Sequence, residues 1–207
     1  MENYQKKLEE YIAALKEKGE RPRLLLHSCC APCSSYVLWY LNGIFDITLL
    51  FYNPNMDTEA EYHKRASELL RLVDRMGLSE RVKTEILPYD HEAFLSAARG
   101  LETCPERGER CLKCYRLRLK RTAEYLKEHS DLYDMFATTL TLSPLKNAAA
   151  LNETGLSLSE ELSVKYLPTH FKKNNGYKRS IELSKIYELY RQNYCGCQYS
   201  KRGNENE

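Results

Sequence analysis

Short apolar runs alternate with longer amphipathic segments along most of this chain. The apolar runs end at turn signals and predict strands over 23–28, 44–52, 82–87 and 132–140, with a short fifth strand over 164–167. Between them, apolar residues at helical spacing predict helices over 3–18, 34–42, 57–76, 91–99, 106–129, 144–152 and 177–191. Strands that alternate with helices are typical of a parallel sheet covered on both faces, so we expect one α/β domain over 1–207 with an irregular tail from 193.

The first predicted strand leads directly into a cysteine-rich turn, 29–33 (CCAPC). In open α/β sheets the working site lies beyond the carboxyl ends of the strands, where a nucleotide-binding relative carries its phosphate loop. The nine glycines of this chain form no G-x-G, G-x-x-x-x-G-K or S-G-G pattern, which disfavours phosphate transfer from ATP. We therefore expect a Rossmann-like (HUP/PP-loop-like), mostly parallel sheet with a metal site at the carboxyl edge of its strands.

Composition narrows the class of protein. Hydrophobic residues are 43% and charged residues 29% of 207, which fits a folded domain and excludes disordered and fibrous proteins. No apolar run approaches the ~18 residues of a membrane span. The N-terminal segment 1–19 is charged and amphipathic, unlike a secretory signal. The sequence predicts a cytoplasmic protein with no membrane contact.

Positive charge is concentrated near the C-terminus, although the net charge is only +2. Segment 165–202 holds nine basic and two acidic residues, and 110–121 holds six basic residues and no acidic one. Segment 53–109 has a balance of −4. Such asymmetry is compatible with a binding surface for a polyanion such as RNA and equally with a solvated helix face that has acidic partners elsewhere.

Seven of the eight cysteines fall into three groups, and Cys104 stands apart. The groups are Cys29, Cys30 and Cys33; Cys111 and Cys114; and Cys195 and Cys197. Cytoplasmic thiols stay reduced, so clustered cysteines indicate metal or redox chemistry more than disulfides. Structural zinc is one possibility, but four thiolates from two segments suit an iron–sulfur cluster at least as well. The spacing alone predicts a cysteine-ligated metal, with iron–sulfur favoured.

Six ordered blocks make the chain recognisable between about residues 24 and 200. They are 25–33 (LLHSCCAPC), 51–62 (FYNPN and EY), 105–115 (PERG, RC and CY), 138–144 (TTL and SP), 171–177 (FKK and GY) and 190–200 (YRQ, YCGC and S). With these blocks the chain resembles the cobalamin-independent epoxyqueuosine reductase family, QueH. The resemblance implies an oxidoreductase that performs the last step of queuosine synthesis: the epoxide of epoxyqueuosine at the wobble position of a tRNA becomes an alkene, and water is released.

The resemblance also implies the cofactor. A [4Fe–4S] cluster would be held by four cysteines, namely Cys29, Cys30, Cys111 and Cys114. The pair near the C-terminus would be the family's redox-active pair, which is Cys195 and Cys197 here. Neither Cys104 nor His170 matches a family position, so neither receives a role.

Epoxide reduction requires more than the cluster, because it takes two electrons and two protons while such a cluster passes one electron at a time. We expect a mononuclear iron held by Cys33, Cys195 and Cys197 that takes up the oxygen. Alternatively, Cys195 and Cys197 act as a dithiol and close to a disulfide after turnover. In either case an external electron donor is needed.

Aromatic and cationic residues are mixed near the C-terminus, as in sites that stack a base and hold phosphates. The predicted substrate-binding residues are Lys172, Lys173, Tyr177 and Arg191, together with Thr139 at the end of a strand. His27 is either a proton donor or, as favoured, a buried hydrogen-bonded residue. Three rival functions remain: a structural zinc RNA-binding module without catalysis, an iron–sulfur tRNA thiolase, and a thiol–disulfide oxidoreductase.

Overall fold

Four parallel strands form the sheet at the centre of the protein, whose computed structural model describes residues 2–201. The strands are β1 (Arg23–Ser28), β2 (Asp46–Phe51), β3 (Lys83–Ile86) and β4 (Met135–Thr138), in the order β3-β2-β1-β4. In this register His27 of β1 lies between Leu50 and Thr138. The predicted α/β fold is confirmed, and the change in strand order falls between β1 and β4, where such sheets open a crevice.

Helices cover both faces of this sheet. Within the described residues they are α1 (Tyr4–Lys18), α2 (Ala31–Leu41), α3 (Glu59–Arg75), α4 (His91–Ala98), α5 (Glu109–Glu128), α6 (Ala148–Leu162) and α7 (Gly176–Ile186), with 3₁₀ turns at Thr139–Leu142 and Gln198–Ser200. Side chains alternate along β1, so Leu24 and Leu26 pack with α1, α2 and α3, while Leu25 packs with α5 and α6. None of the described helices is long and apolar enough to cross a membrane.

Some boundaries differ from the sequence pattern. α2 begins at Ala31 rather than at 34, because Pro32 is well suited to the first turn of a helix, so the cysteine turn runs straight into it. α6 begins at Ala148, where Asn147 caps it, and ends at Leu162 rather than 152. The expected fifth strand is wrong, since Tyr166 makes only an isolated bridge to Phe136.

Candidate functional site

The carboxyl end of β1 leads into a turn that carries three cysteines. The sulfurs of Cys29, Cys30 and Cys33 lie within 4.8 Å of one another, and those of Cys29 and Cys30 are 3.7 Å apart. Cys30 caps α2, where the positive end of the helix dipole favours a thiolate, and Cys33 lies in the first turn of that helix. Closely spaced thiolates are ligands that zinc and iron prefer, so this turn can hold a metal.

Hydrogen bonds from neighbouring strand ends fix the cysteine turn. After β4, the Thr139 hydroxyl accepts the Cys29 N–H at 3.1 Å and lies 3.4 Å from the Cys29 sulfur. After β2, the Asn53 amide donates to the Ser28 carbonyl at 2.9 Å. The Ser28 hydroxyl also pairs with that of Ser34 at 2.7 Å. The ends of three parallel strands therefore hold the first cysteine group in place.

The second cysteine group lies at the start of α5. Cys111 is in the first turn, and its sulfur accepts the backbone N–H of Arg107 at 3.3 Å. Cys114 follows one turn later on the same side and is buried. The Arg107 guanidinium donates to the carbonyls of Pro144 at 2.8 Å and Leu145 at 3.2 Å. These bonds tie the start of α5 to the loop that precedes α6.

The C-terminal tail returns Cys195 and Cys197 to the same edge of the sheet. The Cys195 carbonyl accepts a hydrogen bond from Nη1 of Arg65 at 3.2 Å. The next carbonyl, that of Gly196, accepts the backbone N–H of Asp57 at 2.9 Å. The tail is thus fastened to α3 and to the loop before it.

Two adjoining cavities lie among the three cysteine groups. The larger has a volume of about 230 Å³, and its wall includes Cys29, Cys30, Cys33 and Cys195. The smaller has a volume of about 20 Å³, and its wall includes Cys111, Cys114, Cys195 and Cys197. Cys195, Arg118 and Lys146 border both. The structure therefore gathers seven cysteines at one edge of the sheet, and Cys104 borders neither cavity.

The sulfur–sulfur distances at this edge of the sheet distinguish a site for a single metal ion from a site for an iron–sulfur cluster. Among residues 2–201, the three sulfurs close enough to share one ion are those of the cysteine turn. Cys111 and Cys114 do not join them at that distance, and neither do Cys195 and Cys197, so the expected single-iron set of Cys33, Cys195 and Cys197 is not assembled in this structure. In an iron–sulfur cluster each thiolate binds a different iron, so its ligands lie further apart than those of a single ion. The sulfurs of Cys29 and Cys30, 3.7 Å apart, have the spacing of single-ion ligands rather than of cluster ligands, so the four-cysteine ligand set stays a prediction.

Contacts between neighbouring thiols make some of them more acidic than others. Hydrogen bonds with Cys29 and Cys33 hold the pKa of Cys30 well below its ordinary value, while the pKa of Cys33 is raised by its contacts with Cys29 and Cys30. In the tail, the hydrogen bond with Cys197 lowers the pKa of Cys195 and raises that of Cys197. In the turn and in the tail, one thiol therefore has a lowered pKa and a neighbouring thiol has a raised one.

His27 is fully buried beneath the cysteine turn. Its ring nitrogens lie 2.9 Å from the Thr138 hydroxyl and 3.1 Å from the Tyr52 carbonyl. Burial, with the charge of Arg118 nearby, lowers the pKa of His27 to about 3, so the ring is neutral at physiological pH. The favoured alternative, a buried hydrogen-bonded histidine, is what the structure shows.

Of the five predicted substrate-binding residues, two border the larger cavity and three lie elsewhere. Tyr177 and Arg191 border the larger cavity. Lys172 instead donates to the backbone carbonyls of the loop before α6, at 2.8 Å for Lys146 and 3.4 Å for Ser143. Lys173 is exposed and borders an open groove beside α1, with His170. Thr139 is buried against the cysteine turn, and Arg202, the end of the basic segment, lies outside the described residues.

Two arginines, a lysine and a glutamine in the wall of the larger cavity escaped the sequence reasoning. They are Arg65, Arg118, Lys146 and Gln192. Arg118 follows Cys114 by four residues on a helix, so the spacing alone could have placed it beside the cysteines. Gln192 lies inside a motif block but was given no role. Nothing in the local sequence marks Arg65 or Lys146.

Comparison with known proteins supports the resemblance drawn from the motifs. The sequence model of the family described as epoxyqueuosine reductase QueH matches residues 24–203. The chain is 43% identical to a relative from Staphylococcus epidermidis, with 96% of this chain and 84% of the relative covered. A relative from Streptococcus pyogenes is 39% identical, with 97% and 78% covered, and one from Thermotoga maritima is 31% identical, with 86% and 89% covered. All three are named epoxyqueuosine reductase QueH, and the matched range contains all three cysteine groups.

Proposed function

The chain belongs to the epoxyqueuosine reductase QueH family, and from this membership we propose that it reduces the epoxide of epoxyqueuosine in tRNA to the alkene of queuosine. Both carbon–oxygen bonds of the epoxide break and a carbon–carbon double bond forms. Two electrons from an external donor and two protons are consumed, and the oxygen leaves as water. The observation that carries the proposal is the gathering of three cysteine groups around one cavity at the carboxyl edge of the sheet.

We propose that Cys29, Cys30, Cys111 and Cys114 hold a [4Fe–4S] cluster. Two observations support this set: the cysteines lie at or beside two helix starts, and they border adjoining cavities. When bound, the cluster supplies electrons one at a time. The remaining thiols of the site, Cys33, Cys195 and Cys197, would hold a mononuclear iron, or the tail pair would cycle through a disulfide.

The larger cavity is suited to the modified nucleoside. Tyr177 and Arg191 at its wall offer an aromatic face and a cation, which suit a stacked base and a phosphate. Cys195 borders the same cavity, so a substrate bound there meets the redox-active pair.

A second function is favoured by one specific observation. The three sulfurs of the cysteine turn are close enough to share a single ion, as in a structural zinc site. Anaerobic purification separates the two functions. The reductase is brown, absorbs near ~400 nm and contains about four or five irons per chain. A colourless zinc protein that binds tRNA and leaves its epoxide unchanged would instead be the RNA-binding module.

A further inference from the structure

Two cations border both cavities without an acidic partner. Arg118 and Lys146 form no ion pair with a carboxylate among residues 2–201. Arg65 is as buried as Arg118, yet it has such a partner, Glu61, at 2.6 Å. Within the described part of the chain, the wall of the larger cavity contains no carboxylate, and that of the smaller contains only the exposed Glu106. The positive charge at this edge is therefore not balanced by acidic side chains.

Arg118 is fixed between the first two cysteine groups. It lies one turn after Cys114 on α5, and only 2% of its surface is exposed. Its Nη2 donates to the Asn53 side-chain oxygen, and the Asn53 amide in turn donates to the Ser28 carbonyl, next to Cys29. Its Nε is buried and has no partner among the described residues. The guanidinium is thus held rigidly, with hydrogen-bonding capacity left over.

Burying a cation without a nearby negative charge destabilises the folded protein by on the order of several kcal/mol, because the ion loses its contact with water. The protein can tolerate Arg118 and Lys146 if negative charge reaches the cavities from another source. Thiolates, and a metal centre bound by them, supply such charge.

We propose that Arg118 and Lys146 balance the negative charge of the thiolate-ligated centre and set its reduction potential. The inference rests on the proposed function, because it assigns these residues to the redox centre of that site. Adding an electron makes the centre more negative, so nearby fixed cations stabilise its reduced form more than its oxidised form. Both residues act through the centre and are positioning residues.

The test is a potentiometric titration of the anaerobically isolated protein, followed by electron paramagnetic resonance. Lys146→Gln and Arg118→Gln should each shift the potential to more negative values, and Arg118→Lys should stay nearer the wild type. Arg116→Gln is the matched control, since Arg116 lies on the same helix and pairs with Glu161 at the surface. Wild-type potentials in both Lys146→Gln and Arg118→Gln would overturn the inference.

Folding and function can be separated in this design. Arg118 is buried and its replacement can disturb the fold, but Lys146 is half-buried and its amine makes no hydrogen bond among the described residues. If Arg118→Gln fails to fold by circular dichroism, Lys146→Gln decides alone. With a brown wild type, unchanged potentials in every variant that folds overturn this inference only. A colourless wild type overturns the proposed function, and the inference with it.

Discussion

Gly196, between the two cysteines of the tail, is the residue on which their position depends most sharply. Its φ of +105° lies in a region that residues with a side chain rarely adopt. A Cβ at this position would come within 3.1 Å of Met56 Cγ and 3.2 Å of Arg65 Nη1. The same Arg65 atom donates to the Cys195 carbonyl, so Gly196→Ala presses on a bond that holds the tail.

The backbone strain alone costs on the order of 1–3 kcal/mol. A few contacts hold the tail in place against this strain. Among them are the hydrogen bond of Tyr194 to Asp57 at 3.0 Å and the ion pair of Lys201 with Asp57 at 2.5 Å. Lys201 is more than half exposed, so that pair contributes only about 0–1 kcal/mol. A loss of 1–3 kcal/mol raises the open population of segment 193–201 by about 5- to 150-fold.

Hydrogen-exchange mass spectrometry of peptides from 193–201 measures this opening. Gly196→Ala should exchange faster there and reduce the epoxide more slowly, because Cys195 leaves the cavity wall. Gly77→Ala is the control: its φ is +65° and no atom lies within 4 Å of its Cβ, so it strains the backbone at a site remote from the tail. Unchanged exchange in 193–201 of Gly196→Ala would refute the reasoning.

Four further predictions use the same protein. In absorbance spectra, Cys30→Ala should lose the ~400 nm band and Cys104→Ala should keep it. A band that is lost in Cys104→Ala and kept in Cys30→Ala would contradict the proposed four-cysteine ligand set. Cys197→Ala should keep most of the ~400 nm band but lose activity. Loss of the whole cluster in this variant would show that Cys195 and Cys197 serve as structural ligands instead. Lys173→Glu should weaken tRNA binding in salt-dependent filter assays, and an unchanged Kd would move the RNA surface elsewhere. The pKa of His27 is about 3 in the folded protein, so between pH ~6.5 and 3 only the unfolded chain binds a proton at this residue, and the free energy of unfolding should fall as the pH drops through this range. Urea titrations of His27→Gln should show a weaker dependence on pH, and an equally steep loss of stability in this variant would contradict the prediction.

The local sequence pattern was sufficient to predict the four strands of the sheet and to place the cysteines after the first of them. β1 was predicted at its observed ends, 23–28, because an apolar run between a charged segment and a turn leaves little choice. The general rule that α/β sites lie at the carboxyl ends of strands then placed Cys29 and its neighbours at the site edge.

Features that depend on distant contacts could not be predicted. Lys172 looks like a phosphate ligand in a basic segment, but its amine is taken by carbonyls of Ser143 and Lys146. Segment 164–167 has the apolar character of a strand, yet it meets β4 at only one bridge. Lys146 reaches the cysteine edge because Arg107 and Lys172 hold the loop before α6, which no local spacing reveals.

The most direct test of this account is an anaerobic assay with tRNA that carries epoxyqueuosine. The metal-loaded protein is incubated with this tRNA and a strong reductant, the tRNA is digested to nucleosides, and their masses are measured by mass spectrometry. We predict a nucleoside lighter by one oxygen atom with the wild type and with Cys104→Ala, and unchanged epoxyqueuosine with Cys30→Ala. Unchanged epoxyqueuosine after incubation with fully metal-loaded, reduced wild type would contradict the central claim.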